Sequence, residues 1–236
     1  MLSSRRSSSS SGLSGSSNSP RMASLVSGIS LILMFFVAMY SEMFVRVAMI
    51  QPNEKETTRS NIIQNRIQFQ SGLVGYLVIL ACDIISAISM YQVFKSISVA
   101  LSWWVGCLRM IYSVIFGYAI LQLFKGYAVV MSDGKDFMDY FNSYESIWAF
   151  GLMIFGVHLV LLGILARRSS FVAKWISLMI VVAGVAYFLD NLLKLTYSNY
   201  ENVKTVLTLC VAIPGIVGEV GLAVAFLTFY RSSRKN

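Results

Sequence analysis

Six long apolar stretches, separated by short polar ones, organise the chain: residues 25–50, 72–94, 99–124, 147–166, 171–195 and 206–230. Each has 20 to 26 residues. About 20 residues of α-helix cross the hydrocarbon core of a bilayer, so every stretch is long enough to span with some tilt. The pattern predicts an all-α polytopic membrane protein, a bundle of six transmembrane helices.

The polar intervals divide the chain further. Residues 1–21 hold eleven serines before Pro20, with Arg5 and Arg6 among them. Such a segment buries too little apolar surface to fold and reads as a disordered tail. It does not read as a signal peptide, because the apolar run after it is too long and no A-x-A-like site follows. Residues 22–231 form the membrane domain and 232–236 a short basic tail. Two connections are long. Residues 51–71 read as a polar loop. Within 125–146, the segment KDFMDYFNSY sets Phe137, Met138 and Phe141 on one side of a short interfacial helix, with Ser132 or Asp133 as its cap. The acids Asp133, Asp136, Asp139 and Glu145 do not follow the spacing of a calcium loop.

Composition agrees with the pattern. The chain is 56% hydrophobic and 13% charged, against about 25% charged for a soluble domain. Its net charge of +8 comes from basic residues in tails and at helix ends, which is how membrane proteins set their orientation and is no sign of nucleic-acid binding. With the N-terminus inside, ten Lys and Arg residues fall on the cytoplasmic side and seven outside. Both termini are therefore expected in the cytoplasm, with the protein a multi-pass component of the cell membrane. Trp148, Trp175, Tyr197 and Tyr230 fall near helix ends, as interface aromatics do. Cys82, Cys107 and Cys210 lie in apolar runs without paired spacing and read as packing residues.

The candidate chemistry lies in seven ionisable groups inside the apolar runs. Glu42 and Arg46 share a face of the first run, four residues apart. Asp83, Arg109, His158, Asp190 and Glu219 follow, one on each later run. If the six charged ones faced lipid the cost would be roughly 18 kcal/mol, so they must point inward and pair or be neutralised. Four carboxylates meet two arginines, which leaves about two acids in excess. Glu42, Arg46 and Arg109 read as charge partners; Asp83, His158, Asp190 and Glu219 read as binding or proton-exchange groups. Glu42, Arg46 and Asp190 fall in the outer half; Asp83, Arg109, His158 and Glu219 fall near mid-depth. Pro214, Gly215, Gly218 and Gly221 flank Glu219, a pattern that serves a kink or close packing. Gly156 and Gly163 around His158 mark a helix contact.

No Walker A, GxSxG or HExxH pattern occurs, and one histidine among carboxylates is a thin set for a metal. No catalytic residue, metal, prosthetic group or disulfide is indicated. The leading expectation is a protein that handles a proton, cation or small solute in the bundle interior. Two alternatives stand beside it: an intramembrane hydrolase, with or without an assisting metal, that would rely on His158 and for which nothing singles out Ser41 or Ser113 as nucleophile, and a structural or partner-binding subunit whose charges hold helices together.

The motifs EMFVR (42–46), CD (82–83), FGVHLVLLG (155–163), AGVAYFLD (183–190) and PGIVGE (214–219) occur in this order, each on its own apolar run. Together they resemble the membrane family catalogued as domain of unknown function 4386, over about residues 22–230. The resemblance implies a six-helix membrane protein and leaves its activity open.

Overall fold

A computed structural model describes residues 18–232, and the serine-rich residues 1–17 and the basic 233–236 lie outside them. No strand occurs among the described residues. Helix α1 (Asn18–Met39) continues as a π-helical stretch, Tyr40–Val47. Then come α2 (Lys55–Gln64), α3 (Arg66–Phe94), α4 (Val99–Met131), α5 (Phe137–Arg167), α6 (Lys174–Thr196) and α7 (Lys204–Ser232). Six of these units are long and apolar enough to cross a membrane: Pro20–Val47, α3, α4, α5, α6 and α7. Short connections force chain neighbours to pack side by side. Accordingly α1 lies on α3, α3 on α4, α4 on α5, α5 on α6, α6 on α7, and α7 returns to α1. The spans form a closed ring.

Small residues set how closely the ring packs, as in membrane bundles generally. The closest seam joins α5 to α6. A Cβ added to Gly156 would stand 2.6 Å from the Gly184 carbonyl oxygen, and one on Gly184 would stand 2.6 Å from that of Gly156. A Cβ on Gly163 would meet the Ser177 carbonyl at 2.8 Å. On the α1–α3 seam, Ser27 and Ser89 share a buried hydrogen bond of 2.7 Å.

The polar connections differ from the sequence expectation. Residues 51–71 are largely helical, as α2 and the first turns of α3. The segment after 132 is no separate interfacial helix, because Phe137–Ser146 are the first turns of α5 itself. Phe137 and Phe141 are buried inside the bundle, and that apolar face docks the extension onto its neighbours instead of lipid. The residue before this helix is Asp136, not Ser132 or Asp133, and its side chain makes no capping bond. Ser132 and Asp133 instead close α4. Asp133 N–H donates to Val130 O at 3.4 Å and Gly134 N–H to Val129 O at 3.0 Å, the two bonds of a Schellman ending. Asp133 takes the left-handed conformation there, with φ 65°. Helix α1 begins at Asn18, inside the segment read as tail. Trp148 is not at a helix end: α5 starts eleven residues earlier, and Trp148 packs on Tyr144 and Phe116. Cys210 is exposed and does not pack.

Candidate functional site

The mid-depth residues of α3, α4 and α5 meet inside the ring. Arg109 is the largest side chain buried to this degree, 1% exposed. Its Nη2 donates to Asp83 Oδ1 at 2.7 Å, and its Nη1 to His158 Nε2 at 3.3 Å. A guanidinium only donates, so His158 Nε2 accepts. The other ring nitrogen, Nδ1, lies 2.9 Å from the Val105 carbonyl oxygen and must be its donor. The imidazole is thus neutral, with its proton on Nδ1. Phe155 lies under the guanidinium at 5.5 Å and stacks beside the His158 ring at 5.5 Å. Arg109 Nε has no partner. A charge-assisted buried pair of this kind ties three helices at one level.

Glu219 differs from these. It is half-buried on α7, on the turn after Gly215, and near enough to Arg109 and Asp83 for their charges to act on it. No hydrogen bond or ion pair to Glu219 occurs among the described residues, and Arg109 is already committed to Asp83. Glu219 and Asp190 are the two embedded acids without a cationic partner among the described residues. Helix α7 runs unbroken through Pro214. A Cβ on Gly218 would meet Ile180 of α6 at 3.0 Å, and one on Gly221 would meet Ile176 at 3.1 Å, so these glycines serve close packing.

From Glu219 a line of polar groups leads along α6 to the bundle's end. Tyr187 lies within electrostatic reach of both Glu219 and Asp190. Its hydroxyl is 4.0 Å from where a Cβ on Gly215 would stand, so the phenol leans over α7 one turn from Glu219. Asp190, one turn further along α6, accepts a 2.7 Å hydrogen bond from the Tyr200 hydroxyl in the α6–α7 connection. Burial, then the bond to Asp190, pushes the Tyr200 phenol pKa above its ordinary value.

Glu42 and Arg46 form a separate group on the π-helical stretch. Arg46 Nε donates to both Glu42 oxygens, at 3.0 and 2.9 Å, and its Nη2 pairs with Glu42 as well. Arg46 Nη1 reaches Glu145 Oε1 of α5 at 2.7 Å, and Lys194 of α6 holds Glu145 Oε2 at 3.0 Å. Tyr76 of α3 donates to Glu42 at 2.7 Å. Four elements are linked, and the charges balance. Beside them a cavity of about 40 Å³, lined in part by Arg46, Asn142 and Glu145, is large enough for a water.

The structure therefore joins Asp83, Arg109 and His158, joins Glu42 to Arg46, and leaves Asp190 and Glu219 outside both groups. Sequence reasoning missed Glu145, Tyr76, Lys194 and Tyr187. Glu145 was legible: it lies four and eight residues after Phe141 and Phe137, the helical spacing of one face. Among the described residues no three of His, Cys, Asp and Glu gather as a metal site.

A family model described as a domain of unknown function, DUF4386, matches residues 26–229. An uncharacterized protein of Archaeoglobus fulgidus is similar, 27% identical over 128 residues, covering 54% of this chain and 68% of that protein. No solved structure matches. With six apolar spans, the motif order and a family match across the whole helical domain, the chain belongs to the DUF4386 family.

Proposed function

We propose that the protein handles a proton or small cation, or a small solute coupled to one, in the cell membrane, with Glu219 as the exchanging group. The observation that carries this reading is the uncompensated carboxylate. Arg109 is held by Asp83 and His158, so two carboxylates face one guanidinium and Glu219 lacks a counter-ion. A carboxylate at mid-membrane must be neutralised by a proton or a cation. Tyr187, Asp190 and Tyr200 supply polar stepping points between Glu219 and the α6–α7 connection. The excess of Lys and Arg on the opposite side favours both termini in the cytoplasm, so this route opens outward. Asp83, Arg109 and His158 hold the surrounding helices and set the field at Glu219.

The serine–histidine form of the hydrolase alternative has less support. Both ring nitrogens of His158 are engaged, and the Ser113 hydroxyl donates to the Arg109 carbonyl at 2.9 Å. Ser41 sits in the Glu42 group, packed against Gly75. The test is reconstitution into liposomes with imposed proton, sodium or potassium gradients. Wild-type protein dissipates one of them and Glu219→Gln does not. Flux unchanged by Glu219→Gln combined with Asp83→Asn overturns the reading.

A further inference from the structure

A second polar concavity lies on the outside of the ring, away from Glu219 and independent of it. It opens between the π-helical stretch and the α2–α3 junction, with Tyr40, Gln64, Arg66, Gln68, Gln70 and Ser71 in its wall. It is a wide, shallow groove open to the surroundings, not an enclosed pocket.

The hydrogen bonds within the wall decide what it offers. The amide nitrogens of Gln64, Gln68 and Gln70 are used: they donate to Ser60 Oγ, the Phe44 carbonyl and Tyr127 Oη, at 3.0, 3.0 and 2.9 Å. Arg66 Nε also donates to Tyr127 Oη, at 3.0 Å. No bond among the described residues engages the three amide oxygens or the two terminal nitrogens of Arg66. The open groups are therefore one guanidinium fork, suited to a phosphate, and three acceptors, suited to hydroxyl or ammonium hydrogens.

Depth and surroundings identify the source of such a ligand. The apolar run of α3 starts at Gly72, so Gln68, Gln70 and Ser71 stand roughly 2 to 6 Å beyond it and Arg66 roughly 9 Å, at 1.5 Å per residue. The headgroup layer adds roughly 5 to 8 Å to each side of the hydrocarbon core, so the glutamines of α3 stand within it and the long Arg66 side chain reaches into it from its outer edge. Ile67, in the wall of the groove, is 83% exposed, and Phe44, whose carbonyl holds Gln68, is 62% exposed. A soluble ligand has no use for that rim, whereas acyl chains lie along it.

We infer that this groove seats a phospholipid headgroup, with Arg66 on the phosphate and the glutamine oxygens accepting from hydrogen-bond donors beyond it. Native mass spectrometry of the delipidated full chain in detergent tests this with three probes: phosphatidylethanolamine, phosphatidylcholine of the same acyl chains, and free phosphoethanolamine. The two lipids share charge and phosphate, and only the first has N–H donors. Wild-type protein is expected to retain phosphatidylethanolamine at least fivefold better than phosphatidylcholine, and not to retain phosphoethanolamine. Arg66→Gln, at an exposed position where the core is untouched, loses roughly tenfold of the phosphatidylethanolamine binding. Equal retention of the two lipids, full retention by Arg66→Gln, or equal retention of phosphoethanolamine overturns the assignment.

Discussion

At the scale of single residues, the Asp83–Arg109 pair at the centre of the bundle is matched, and the nearby Glu219 carboxyl is not. Asp83 and Arg109 are each almost fully buried and 2.7 Å apart. Asp83→Asn leaves Arg109 charged without its partner, a change that costs about 3–5 kcal/mol in buried pairs. The thermal midpoint in detergent is expected to fall by on the order of 10 °C. Glu219→Gln removes a carboxyl that has no partner in the bundle, and the midpoint is expected to hold or rise. Tyr200 gives a pH-dependent readout. Its phenol keeps its proton past the ordinary tyrosine value of about 10, because burial and the bond to Asp190 favour the neutral form. The folded state binds this proton more tightly than the unfolded chain. Its stabilising contribution is therefore complete below that value and declines as pH rises above it. Midpoints measured across this alkaline range should fall more steeply for wild type than for Tyr200→Phe.

At the scale of elements, what was legible in the sequence is what hydrophobic period and residue size record. The six spans follow from apolar length, and the α5–α6 seam from Gly156 and Gly163. Gly184→Ala would place its Cβ 2.6 Å from the Gly156 carbonyl, and overpacking of this kind costs about 1–3 kcal/mol. Gly215→Ala meets nothing closer than Tyr187 at 3.8 Å, so it is expected to be silent in the same melting experiment. The π-helical stretch Tyr40–Val47 was not legible, because Glu42 and Arg46 share a face in an ordinary α-helix too. Nor was the reach of Arg46 to Glu145, ninety-nine residues away, since pairing at that separation depends on which helices the ring brings together. The continuation of α5 back to Phe137 was misread for a local reason. Its polar residues hid a buried aromatic face that looked like an interfacial one.

At the scale of the whole molecule, six spans in a closed ring put the start of α1 and the end of α7 on one side. The orientation proposed from the basic residues puts Lys135 outside and Ser170 inside, and both are exposed at opposite ends of the bundle. In a variant with Cys82, Cys107 and Cys210 replaced, a membrane-impermeant thiol reagent on intact cells is expected to label Lys135→Cys and spare Ser170→Cys. The ring also explains how so many embedded charges coexist. Asp83 with Arg109 and Glu145 with Lys194 pair neighbouring helices, while Arg46 reaches across the ring to Glu145. Glu219 remains as the group for which the bundle has built no partner. The most direct measurement compares ion flux into liposomes with the thermal midpoint, for wild type and Glu219→Gln side by side. The account predicts at least a tenfold loss of flux with the midpoint unchanged or higher. Unchanged flux with a lowered midpoint would contradict it and make Glu219 one more residue that holds the ring together.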